Sequence, residues 1–147
     1  MTAGASIDGV LLTPLKVIDT AGGDVLHGMK SIDPGYSGFG EAYFSFVDPG
    51  VVKGWKRHRQ MILNLVVPFG AVRFVIYDDL KDSTTFQMYQ EVILSRENYQ
   101  RLTVPPMVWM AFQGVNKAEN MLLNIASIDH EPNESDRKLL EELPYPW

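Results

Sequence analysis

A chain of 147 residues, 46% hydrophobic and 21% charged, is long enough to bury a core without disulfides or metal and reads as a single domain over residues 1–147. The absence of cysteine excludes a disulfide scaffold, a thiolate metal site and a cysteine nucleophile, and fits a reducing, cytoplasmic setting. A net charge of -5 argues against nucleic acid as a partner, and no apolar run approaches the roughly 20 residues of a membrane helix.

The polar start, Met1 to Ser6, lacks a basic leader region and is expected to be flexible, so the protein is expected to be soluble and unprocessed. Residues 9–18 are apolar and β-branched, but Pro14 limits them to an edge or bulged strand. A turn over 19–24 and a weak strand over 25–30 follow. The Gly- and Pro-rich residues 31–40 are expected to form an ordered loop near a ligand, because their aromatics would be wasted in solvent. Residues 41–47 form a clear strand closed by the Asp48-Pro-Gly50 turn. Two apolar runs, 61–67 and 71–79, are joined by Pro68-Phe-Gly70 and read as strand, turn, strand. A polar connection over 80–84 precedes a strand over 85–94. Ser95 offers an N-cap for one helical turn to Tyr99, and Pro105-Pro106 sets an extended entry to a strand over 107–114. Residues 120–127 are the last strong strand. Residues 134–142 are expected to be a helix with Leu139, Leu140 and Leu143 as its apolar stripe, before an aromatic tail, Pro144-Tyr-Pro-Trp147. Eight or more short strands and one short C-terminal helix predict an all-β jelly roll, whose tapering barrel leaves an interior cavity.

The chemistry concentrates at Val51-Val-Lys-Gly-Trp-Lys-Arg-His-Arg-Gln60, a basic cluster in an acidic chain. Strand alternation puts Gly54, Lys56 and His58 on one face and Trp55, Arg57 and Arg59 on the other. One reading is a solvated edge whose charges discourage strand pairing. The other is a cavity wall that holds a small anion and moves a proton. A metal-binding barrel of this kind would carry a His-x-His pair and a later histidine. Here Lys56 replaces the first, and Trp109 and Met110 occupy the later strand, so no metal and no other cofactor is expected. A Gly-x-Ser-x-Gly elbow and a phosphate loop are both absent from the sequence. Acid and base chemistry beside a carbonyl remains. His58 is the candidate base, since imidazole titrates near pH 6.5. Lys56 is the cation for an enolate, or the base itself if burial and Arg57 or Arg59 depress its pKa. Asp79 would orient either one. Tyr43, Tyr77 and Tyr89 are candidate phenol donors, and His27 and His130 read as loop or surface residues.

Three segments resemble the dTDP-4-dehydrorhamnose 3,5-epimerase family of cupins. Val52-Lys-Gly-Trp-Lys-Arg-His58 is similar to that family's Val-Arg-Gly-Leu-His-x-Gln, Phe74-Val-Ile-Tyr-Asp-Asp-Leu-Lys81 to its strand ending in Asp-Leu-Arg, and Val104-Pro-Pro-Met-Val-Trp-Met-Ala-Phe112 to its Ile-Pro-Pro-Gly-Phe-Ala-His-Gly-Phe. The resemblance implies a cytoplasmic homodimeric cupin that acts on a nucleotide-diphosphate sugar, with Lys53, Arg59, Trp109 and Asn124 as substrate-binding residues beside the catalytic His58, Lys56 and Asp79. The family's catalytic histidine is Lys56 here, and its phosphate-side arginine is Lys53. Its enolate-steadying lysine falls near Leu63, and the tyrosine that protonates from the far face falls near Asn124. The Gly-x-His-x-His motif of related 3,4-ketoisomerases is matched at His58, with Lys56 in place of its first histidine. These departures leave two functions open: an epimerase or ketoisomerase working next to a 4-keto group, or a nucleotide-sugar binding or scaffold protein that has lost the chemistry.

Overall fold

The computed structural model describes residues 6–147; the expected flexible start lies, but for Ser6, outside the described residues. The strands are β1 (Leu11–Pro14), β2 (Val17–Ile18), β3 (Val25–Leu26), β4 (Glu41–Phe46), β5 (Val52–His58), β6 (Leu63–Phe69), β7 (Ala71–Tyr77), β8 (Tyr89–Ser95), β9 (Gln100–Val104), β10 (Trp109–Gly114), β11 (Met121–Ala126) and β12 (Ser135–Arg137). They form two five-stranded antiparallel sheets, β1-β9-β6-β11-β4 and β12-β5-β10-β7-β8, and a β2-β3 ribbon. The nearly all-β expectation therefore holds.

Alternation explains how the sheets meet. Leu63, Leu65, Val67, Leu102, Val104 and Leu122 from the first sheet pack against Val72, Phe74, Ile76, Val92, Leu94 and Met110 from the second. The alternate residues of the second sheet, Trp55, Val75, Trp109 and Ala111, make a separate cluster on its outer face. Gly70 alone turns β6 into β7; its φ of 76° and the approach of the Glu119 carbonyl, 2.2 Å from where a Cβ would stand, leave no room for a side chain. Pro68 is tolerated inside β6 because the pairing with β11 slips there, so the missing N–H coincides with a bulge.

Four sequence expectations need correction. Residues 134–142 are not a helix: Pro132–Glu134 and Leu140–Glu142 are single 3-10 turns, and β12 lies between them. Pairing supplies the reason, since β5 would otherwise end its sheet with unmatched backbone groups, and Ser135, Asp136 and Arg137 align with His58, Arg57 and Lys56. Ser95 caps a turn, accepting the Asn98 N–H at 3.2 Å, and ends β8 rather than starting a helix. The strand expected from residue 85 starts only at Tyr89, because Asp78 gathers the preceding loop by accepting bonds from Leu80 N–H and from the Ser83 and Thr85 hydroxyls. Finally, the loop over 31–40 covers the outer face of the first sheet, away from the cavity. The fully buried Arg101 holds it there by donating to the Gly28 and Pro34 carbonyls, and Asn64 donates to that of Gly35.

Candidate active site

Hydrocarbon fills one half of the space between the sheets. The other half is a cleft of about 680 Å³, within the range of small-molecule sites. β5 and β12 supply one wall, β4, β6 and β11 the other, and the segment after β12 closes the mouth with Lys138, Leu139 and Glu142.

Gly54, Lys56 and His58 face this cleft, and Arg57 faces away, as alternation predicts. Lys53 lines it too, although it stands three residues from Lys56. The pairing explains this. Lys56 aligns with Met110 but Lys53 with Phe112, so two residues of β5 oppose one of β10, and the bulge at Gly54 and Trp55 shifts the phase of the strand. Lys53 Nζ donates to the Phe46 carbonyl at 2.9 Å and so ties β5 to β4 across the cleft.

His58 Nδ1 lies 2.6 Å from Glu134 Oε1. The other oxygen of Glu134 accepts the Gln60 and Met61 N–H groups at 2.9 and 2.8 Å. Burial is the largest influence on this carboxyl and pushes its pKa up, but the bonds from His58, Gln60 and Met61 together outweigh it and hold the pKa below its ordinary value. An ionised, fixed Glu134 selects the Nδ1–H form of a neutral His58 and leaves Nε2 as the basic nitrogen. Lys56 has a pKa lowered mainly by burial, then by the neighbouring Arg137, with Glu134 acting the other way. The expectation that Arg57 or Arg59 would lower it is corrected, since both lie on the opposite face with Asp136.

Asp79, expected to orient His58 or Lys56, does neither. It accepts Trp109 Nε1–H at 2.9 Å and pairs with Arg57 at 3.4 Å on the outer face. Trp109 is buried there under the Arg57 guanidinium, 4.7 Å from the ring centre, and does not line the cleft. Arg59 is half exposed and binds Asp136 and the Asn133 carbonyl. Thus Lys53, Lys56, His58 and Asn124 come together, while Asp79, Trp109 and Arg59 belong to the outer face.

On the far wall Asn124 Nδ2 donates to the Tyr43 hydroxyl at 2.8 Å, and the buried Asn124 Oδ1 has no partner among the described residues. Tyr77 and Tyr89 stack on the outer cluster with ring centres 4.5 Å apart, which removes them as donors in the cleft. His27 offers its backbone carbonyl to Tyr99, and His130 is exposed. Sequence reasoning missed Glu134, Arg137, Lys138 and Glu142, because all four fell within the expected helix. The signal that could have found them is the alternation of Ser-Asp-Arg beside a Pro-Asn turn.

The last residues hold the mouth in place. Glu142 accepts the Leu139 N–H at 2.6 Å, Trp55 Nε1 donates to the Leu143 carbonyl at 3.0 Å, and Tyr145 and Trp147 pack over Tyr89 and Trp55 on the outer face. Tyr145 donates to Glu91 at 2.7 Å, and its pKa is pushed up to about 12, first by burial and then by that carboxylate.

No family model matches the chain. It is 31% identical over 115 residues to the probable low-salt glycan biosynthesis epimerase Agl13 of Haloferax volcanii, a stretch covering 78% of this chain and 69% of that protein. A crystal structure of a dTDP sugar isomerase from Desulfovibrio desulfuricans superimposes with a TM-score of 0.92 at 37% identity, covering 96% of this chain and 92% of that one. The dTDP-4-dehydrorhamnose 3,5-epimerase of Bacillus anthracis, solved with TDP and PPi bound, shares the fold with a TM-score of 0.80 at 20% identity, over 95% and 85% of the two chains.

Proposed function

The chain belongs to the nucleotide-sugar epimerase and isomerase family, and on that footing we propose that it binds a nucleotide-diphosphate 4-keto sugar and removes a proton from the carbon beside the ketone. The observation that carries this reading is that His58, on one wall of the cleft, is held by Glu134. His58 Nε2 takes the proton, and the Lys56 ammonium neutralises the charge that develops on the ketone oxygen. Lys53, Arg137 and Lys138 supply positive charge to the same cleft for a diphosphate. The fold is read as a jelly roll of the cupin type, and the product as an unusual sugar for a surface polysaccharide or another glycosylated product. The binding-only alternative draws on Lys56, Leu63 and Asn124, and a carboxylate-anchored imidazole in the cleft favours chemistry over it.

We also read the protein as a homodimer formed through the β4 side of the first sheet, which is an unpaired edge among the described residues and carries Phe44 and Phe46, 62% and 59% exposed, with Phe69, 53% exposed, two strands in.

Incubation with dTDP-4-keto-6-deoxyglucose in deuterium oxide tests the chemistry. Deuterium entering C3 or C5 is the expected result. Tight binding by calorimetry without exchange would leave the binding-only reading, and absence of binding to dTDP, UDP, GDP and CDP sugars would remove both.

A further inference from the structure

We infer that Tyr43 is the acid that returns a proton to the substrate carbon from the side opposite His58, and that Asn124 is its positioning partner. The inference rests on the enolate chemistry proposed above. The two sheets face each other across the cleft, with His58 and Lys56 on β5 and Tyr43 and Asn124 on β4 and β11, so a sugar ring between them meets imidazole on one face and phenol on the other. Tyr43 and Asn124 are directly paired across their strands.

Hydrogen bonding supports the assignment independently. Asn124 Nδ2 donates to the Tyr43 oxygen, which uses an acceptor site of the phenol and leaves its O–H to donate; among the described residues that O–H has no acceptor. The other phenols with hydrogen bonds are spent elsewhere: Tyr89 on Pro144, Tyr99 on His27 and Tyr145 on Glu91. Asn124 Oδ1, buried at the same wall and unpartnered among the described residues, is an acceptor for a sugar hydroxyl.

The step balances without a co-reactant. His58 Nε2 takes the proton, and the electron pair of the broken C–H bond becomes an enolate whose oxygen faces Lys56. The carbon then takes the Tyr43 proton on its other face, which forms a new C–H bond of inverted configuration and leaves a phenolate that the Asn124 amide stabilises. Solvent reprotonates Tyr43 and removes the proton from His58.

The test measures deuterium wash-in and epimer formation separately for wild type and for Tyr43→Phe with dTDP-4-keto-6-deoxyglucose. Tyr43→Phe should keep wash-in within about threefold, because His58 still takes and returns protons on its own side, while epimer formation falls about 100-fold or more. Epimer at more than a tenth of the wild-type rate, or wash-in lost together with epimer, overturns the assignment. If Tyr43→Phe folds poorly, 3,5-difluorotyrosine at position 43 serves instead. A more acidic phenol must move the basic limb of the pH–rate profile to lower pH, and a limb that stays put overturns the assignment. Wild-type wash-in without any epimer defeats Tyr43 alone. Its absence in the wild type defeats the enolate chemistry itself, and so the two failures are distinguishable.

Discussion

Glu134 does two jobs with two oxygens: one fixes His58, and the other ties down the Gln60 and Met61 N–H groups at the end of β5. Replacing it with glutamine should slow deuterium wash-in by about 10- to 100-fold and cost about 2 kcal/mol of stability near neutral pH, measured by exchange kinetics and thermal melting. The stability gap between wild type and Glu134→Gln should also depend on pH. The folded pKa of Glu134 lies below its ordinary 4.5, so the carboxylate's contribution is full above the unfolded value and disappears as pH falls through the folded one. Melting curves from pH 7 down to pH 2 should therefore converge at the acid end. Met107 is a second test at this scale. It holds a φ of 71° where the resembling family motif has glycine, while its N–H donates to the His58 carbonyl at 2.7 Å. Met107→Gly should raise stability by about 1 kcal/mol, since a left-handed conformation strains any residue with a Cβ; an unchanged or lower melting temperature would count against strain at that turn.

Among the elements, legibility divides along the period of two. The β6–β7 hairpin was readable from two apolar runs around Pro68-Phe-Gly70, and the opposed faces of β5 from the alternation of side chains along a strand. Asp79 was misplaced although the same rule covers it: Val75 and Tyr77 face outward with Trp109, and Asp79 continues their parity. Lys53 was placed in the cavity only through resemblance, since the bulge at Gly54 and Trp55 comes from pairing with β10 and leaves no local mark. The failed helix over 134–142 has the same root. Its leucines suggested a stripe, but the distant edge of β5 decided the matter by offering His58, Arg57 and Lys56 as backbone partners for Ser135, Asp136 and Arg137. Beyond β12, the aromatic tail anchors the segment bearing Lys138, Leu139 and Glu142. Replacing Tyr145 and Trp147 together with alanine should lower stability by about 1–2 kcal/mol and weaken dTDP binding about tenfold by calorimetry, equivalent to about 1.4 kcal/mol. Unaltered binding would mean that the mouth holds its shape without the tail.

For the whole molecule, the two faces of the first sheet differ in a way that bears on assembly. Its inner face makes the core and the cleft, and its outer face over β6 and β9 is covered by the loop that Arg101 and Asn64 hold. The β4 margin stays bare, with Phe44 and Phe46 presented to solvent. Phe46→Glu should convert the proposed dimer to monomer in analytical ultracentrifugation at micromolar concentration, because a buried carboxylate without a partner is costly. A dimer that survives the change would place its interface elsewhere. The junction of β12 with β5 has a different kind of consequence. Because the carboxylate that fixes the imidazole stands on the 3-10 turn leading into β12, pairing of β5 with β10 alone leaves His58 without the group that selects its tautomer.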